Sequence, residues 1–133
     1  MIIKWVSALL ICILIAGCAS TEQRLANEMK FQRWQLVMID SQPINTTAYI
    51  RFIDAMQLEG HSGCNDFFAS TEVVESTLLV SNVGMTYKLC AQQQGQTEQV
   101  LLDTLKSTPS LSVSGVSLTL TGSHTLTFAA QAN

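Results

Sequence analysis

The stretch from Trp5 to Ala16 holds one polar residue, Ser7, and follows a short positive start, Met1-Ile2-Ile3-Lys4. Crossing the hydrocarbon core takes about 20 apolar residues, and this run has about a dozen. A positive residue, an apolar run and then the small residues Ala16-Gly17 make the layout of a secretory signal peptide. This constrains everything downstream. Residues 1–17 drop out of the fold, and the remainder of the 133-residue chain supports one domain with its own core and not two.

The end of the run narrows the reading. Ile15-Ala16-Gly17-Cys18 resembles the lipobox of bacterial lipoproteins. Small side chains at 16 and 17 let a peptidase reach the backbone, and the Cys18 thiol accepts a diacylglyceryl group. The resemblance implies cleavage before Cys18 and three acyl chains, of the palmitate kind, on the mature protein. Each buried methylene contributes about 0.8 kcal/mol, so several chains hold a protein on a membrane essentially permanently. Ala19 stands where an Asp would retain such a protein at the inner membrane. By resemblance to the sorting rules of two-membrane bacteria, the expected location is the outer membrane, facing the periplasm, with the bilayer as first partner through lipid on Cys18. Cys12 is removed with the signal.

Without Lys4 the mature chain has six Lys/Arg against ten Asp/Glu, a net charge of -4. No run of basic residues stands anywhere in it, and nucleic-acid binding needs a basic footprint. Residues 18–32 are polar and mixed, and read as a lipidated tether, in part helical. The folded part is expected from about residue 33.

From there the pattern is mostly that of strands. Trp34–Ile39 alternates, and Ser41–Thr47 is rich in turn formers. Ala48–Ile53 and Met56–Gly60 read as a hairpin joined tightly at Asp54-Ala55. Ser62–Asp66 is a turn, and Thr77–Val80 a further strand. Gln92–Ser107 is the helix, with Leu101 and Leu105 stacked at i, i+4, Thr97 as a candidate N-cap with Glu98 in the first turn, and Pro109 as the stop. Leu111/Val113, Leu118/Leu120 and Leu126/Phe128 are three closely spaced strands. The expected class is α+β: a mainly antiparallel sheet curled as a partial barrel, with one helix packed against it.

Cys64 and Cys90 remain once Cys12 is lost and Cys18 acylated. Two thiols in an oxidising compartment are expected to pair. The bridge would close a loop of about 26 residues and stabilise by about 3 to 4 kcal/mol. Two sharper readings compete: a metal site from His61, Cys64, Cys90 and His124, which lacks the two close ligand pairs of structural zinc, and a Cys64 nucleophile served by a histidine, with Asp66 working against a lowered thiol pKa. The carboxylates, Glu98 among them, are scattered and read as solvated surface. No phosphate-binding Gly loop, G-x-S-x-G or H-E-x-x-H is present, and no cofactor or metal is expected. Trp34 reads as a core anchor.

Trp34-x-Leu36, then Gly63-Cys64-Asn65 before Phe67-Phe68, then Thr86-x-x-x-Cys90, the helix, and the Leu118-x-Leu120 and Leu126-x-Phe128 strands together resemble the META domain of HslJ-like heat-shock lipoproteins. The resemblance runs over about residues 33–129 and makes 33–133 the expected domain. Ala69 stands where the family usually has Gly, and Lys88-Leu89 where Met-Ala is usual. The resemblance implies an envelope protein linked to stress and to tolerance of novobiocin, acting on an unidentified envelope partner, with no established catalytic residue. It makes Trp34, Gly63, Cys64, Asn65, Thr86 and Cys90 structural. Two other functions compete: a module binding a small hydrophobic ligand in the mouth of the barrel, and a thiol-dependent redox protein.

Overall fold

The computed structural model describes residue 24 and residues 27–54 and 56–132. The proposed signal peptide and Cys18 lie outside the described residues. Nine strands and one main helix follow in order: β1 (Arg33–Ile39), β2 (Gln42–Pro43), β3 (Tyr49–Asp54), β4 (Gln57–His61), β5 (Asp66–Val74), β6 (Thr77–Met85), α1 (Gln92–Lys106), β7 (Ser110–Ser114), β8 (Ser117–Thr121) and β9 (Thr125–Ala130). The strands form one antiparallel sheet in the order β2-β1-β3-β4-β5-β6-β7-β8-β9, and β1 also pairs with β9. The sheet thus curls into a ring that is not a regular barrel, in keeping with the partial barrel expected from the alternating strands.

The ring is not uniform. Strands β5 and β6 run side by side along most of their length, whereas β6 and β7 share the single pair Thr77↔Ser110. Beyond that pair the two strands part, and α1 lies against β6, β8 and β9. Its stripe Leu101, Leu102 and Leu105 is buried, so the helix plugs the opening that the sheet leaves.

The alternation of the sequence sets the core. Trp34, Leu36, Ile50, Leu58, Leu118, Leu120, Leu126 and Phe128 point inward and are almost fully covered. At roughly 25 cal/mol per Å² of apolar surface removed from water, this cluster is the main source of stability. Met29, within the segment read as a tether, joins it at 1% exposure, and the Phe31 N–H donates to the Phe52 carbonyl at 2.8 Å. Trp34 is the core anchor expected of it, although its indole Nε1 has no hydrogen-bond partner among the described residues.

Two local features differ from the sequence reading. Residues 66–74 show no clean apolar alternation, yet they form β5 with Phe67, Ala69 and Thr71 facing inward. A small and a polar residue on the buried face hide the period of two that marks a strand. Thr97 is not the N-cap. The N-cap position is Ala91, six residues earlier, and Thr97 is a buried interior residue whose hydroxyl donates to the Gln93 carbonyl at 3.1 Å. The Gln94 side chain takes the capping part instead, accepting from the Ala91 N–H at 3.2 Å. The β3–β4 connection is tight as expected, with Asp54 accepting from the Met56 N–H at 2.7 Å.

Candidate functional site

Strand β4 ends at His61 and β5 begins at Asp66, so Ser62-Gly63-Cys64-Asn65 must reverse the chain. The Ser62 N–H donates to the Asn65 carbonyl at 2.8 Å. Gly63 has φ of 102°, and a Cβ there would meet the Thr46 methyl at 2.8 Å, so both conformation and space demand glycine. The Ser62 hydroxyl accepts from the Asn65 N–H at 3.0 Å and lies close to both the Asn65 carbonyl and Glu98. It has one proton to give. The charged carboxylate of Glu98 is the stronger acceptor, and the Asn65 carbonyl is already served by the Ser62 N–H.

Asn65 is the hub of this corner and is 3% exposed. Its Oδ1 accepts from the Thr86 hydroxyl at 2.9 Å and from the Lys88 N–H at 2.6 Å. Its Nδ2 donates to Glu98 Oε2 at 3.0 Å, and its own N–H reaches the same oxygen at 3.0 Å. Thr86 also accepts from the Asp66 N–H at 3.2 Å. One amide thereby ties together the β4–β5 turn, the segment after β6 and the helix. The Cys64–Cys90 disulfide, with Cα atoms 5.8 Å apart, links the same turn to the same segment. The G-C-N run and the T-x-x-x-C spacing are therefore two halves of one joint.

Pinned at both ends, residues 86–90 form one wall of a groove of about 430 Å³. Met85, Tyr87, Lys88 and Leu89 face Gln99, Leu102 and Asp103 of α1. Tyr87 and Leu89 are 91% and 104% exposed, although both are large and apolar.

The two histidines do not join the cysteines. His61 Nδ1 lies 2.7 Å from Asp66, and its ring stacks on Tyr49. His124 Nδ1 lies 2.7 Å from Asp40, which also accepts from the Thr125 N–H at 2.8 Å. Hydrogen bonding from His61 lowers the Asp66 pKa below the ordinary carboxylate value, and hydrogen bonds from His124 and then Thr125 do the same for Asp40. Both sulfurs that the metal and nucleophile readings need are spent in the disulfide.

Glu98 and Ser62 are the members of this corner that sequence reasoning passes over. Glu98 stands three, four and seven residues before Leu101, Leu102 and Leu105, which puts it on the buried stripe of α1 rather than on its solvated face. That spacing was the available signal. Ser62 carries none, since serine in a turn is ordinary.

The family model of the META domain matches residues 27–133. The chain belongs to the META domain family. The label of HslJ-like bacterial protein fits that family, and the Asn65 joint is how this META domain uses its motif residues. A structure solved by NMR aligns with a TM-score of 0.69 at 22% identity, over 78% of this chain and 92% of that one. A second NMR structure, of a protein from Burkholderia xenovorans, aligns with a TM-score of 0.66 at 18% identity, over 83% and 88%. At these identities the two share the fold. No curated protein matches the sequence.

Proposed function

We propose that this META domain protein is a non-enzymatic lipoprotein of the bacterial envelope, anchored at the outer membrane through Cys18 and facing the periplasm. There it supports stress or antibiotic tolerance by binding an envelope partner. The carrying observation is the groove beside the disulfide. Tyr87 and Leu89 are offered to solvent on a segment that a covalent bridge and the buried Asn65 hold in place. Exposed apolar residues on a tethered backbone beside a groove suit a binding surface, because less backbone entropy is left to lose on association. The disulfide also suits an exported protein, since such bridges persist in oxidising compartments.

The mouth of the ring is a weaker place for a hydrophobic ligand, because Trp34, Phe128 and the leucines fill its interior. A thiol-dependent reaction would first have to open the disulfide.

Two measurements test the proposal. Growth with labelled palmitate is expected to label the wild-type chain and not Cys18→Ala, and label in the variant would sink the anchor. A strain lacking the protein is expected to be more sensitive to novobiocin or heat, and restoring the chain with Tyr87→Ser and Leu89→Ser should not correct it. Full correction by that double variant would remove the groove from the function.

A further inference from the structure

Arg33 and Arg51 are 18 positions apart in sequence, but the β1–β3 register makes them direct partners, with side chains on the outer face of the ring. Like charges set directly opposite each other across a strand pair destabilise the sheet. Neither guanidinium is fully engaged. The Arg33 group lies over the Tyr49 ring, 4.0 Å from its centroid, and is in no ion pair among the described residues. Arg51 approaches Glu59 no closer than 3.6 Å, beyond hydrogen-bond range, and its Nε is buried without a partner. Together with Phe31, Gln131 and Ala132 they line a polar pocket of about 450 Å³. Lys30, 5.0 Å from the centre of the Phe31 ring, adds a third cation nearby. These are three of the six Lys/Arg of a mature chain that is acidic overall. Asp54, the other acid on this hairpin, is occupied with the Met56 N–H.

We infer that this pocket binds a phosphate group, and that the phosphate is that of a membrane lipid headgroup. Two planar forks with free N–H donors match phosphate oxygens, and an anion between them turns a repulsive pair into an attractive cluster. The lipid source rests on the anchoring proposed above. Phe31 lines the pocket and lies 13 residues after Cys18, a distance of at most about 45 Å in extended chain, so the pocket stays within that reach of a lipid on Cys18. An aromatic ring beside the cations suits the interface between headgroup and acyl region.

The test uses the full chain, processed by the host and purified in a neutral detergent. Arginine Nε–Hε NMR signals are followed during titration with dihexanoyl phosphatidylglycerol and, separately, with inorganic phosphate. Saturable shifts at Arg33 and Arg51 with the lipid, and at least roughly tenfold weaker binding in Arg33→Gln and Arg51→Gln, are expected. Glu59→Gln, which removes the competing carboxylate, should tighten binding by roughly twofold to fivefold, an effect that misfolding cannot mimic. Equal binding of inorganic phosphate would overturn the lipid assignment. No saturable shift, or lipid binding indifferent to all three substitutions, would overturn the site. Intact mass on the same sample reads acylation of Cys18 independently, so loss of the anchor reading and loss of the pocket are separate results.

Discussion

Two corners of this META domain are each tied by an acidic side chain, and they differ in burial. At one, Glu98 of α1 meets Ser62 and Asn65, which are themselves buried. At the other, Asp40 meets His124 and the Thr125 N–H in the open, next to the β8–β9 turn. The Glu98 carboxylate takes four hydrogen bonds and the Asp40 carboxylate two, and the corners differ as much in access to water. Water can replace the partners of Asp40 when the tie breaks, but it has poor access to Ser62 and Asn65, which are 0% and 3% exposed. Loss of a partner inside leaves a desolvated donor or acceptor, which costs far more than the net worth of the bond.

The predictions grade the difference. The largest effect is expected at the covalent part of the buried corner. Replacing both cysteines with serine should cost about 3 to 4 kcal/mol, measured by urea unfolding of the mature chain, through the loop of about 26 residues that is released. A loss below about 1 kcal/mol would mean that the hydrogen bonds alone hold the joint. Next comes Asn65→Ala, expected to cost about 2 to 3 kcal/mol by removing the buried amide that joins the Thr86 hydroxyl, the Lys88 N–H and Glu98. Glu98→Gln, which puts an NH₂ where donors converge, should cost about 1 to 2 kcal/mol. A neutral outcome would make Glu98 the surface residue that its charge suggests.

The smallest effect belongs to the exposed corner and carries a pH signature. Asp40 has a lowered pKa in the fold, so it contributes stability that is present above the unfolded carboxylate value, about 3.9. That stability is lost as pH falls through the lower, folded value. Asp40→Asn should therefore lower the melting temperature slightly at pH 6, with the difference shrinking as pH falls below about 3.9. A difference that persists at the acid end would assign the effect to packing rather than to charge.

Much of this architecture is legible in the order of residues, for identifiable reasons. β1, the β3–β4 hairpin and β7 to β9 announce themselves because Leu, Ile, Val and Phe alternate with polar residues, and α1 because Leu101 and Leu105 repeat at helical spacing. β5 does not, because Ala69 and Thr71 occupy its buried face. The disulfide follows from two remaining thiols. Glu98 is hard to read because its charge suggests a solvated face while its spacing places it beside the buried leucines of α1. The pairing of Arg33 with Arg51 follows only from strand register, which the sequence leaves open.

The pairing of β1 with β9 also has a consequence in time. The chain is delivered from its N-terminal side, so Trp34 arrives well before Phe128 and the ring has no means of closing until β9 has arrived. Until then β1 and β8 each present an edge that another strand could take. Cys64 and Cys90 face no such wait, since they and everything between them are already made, and their corner can be assembled while the two edges still stand open.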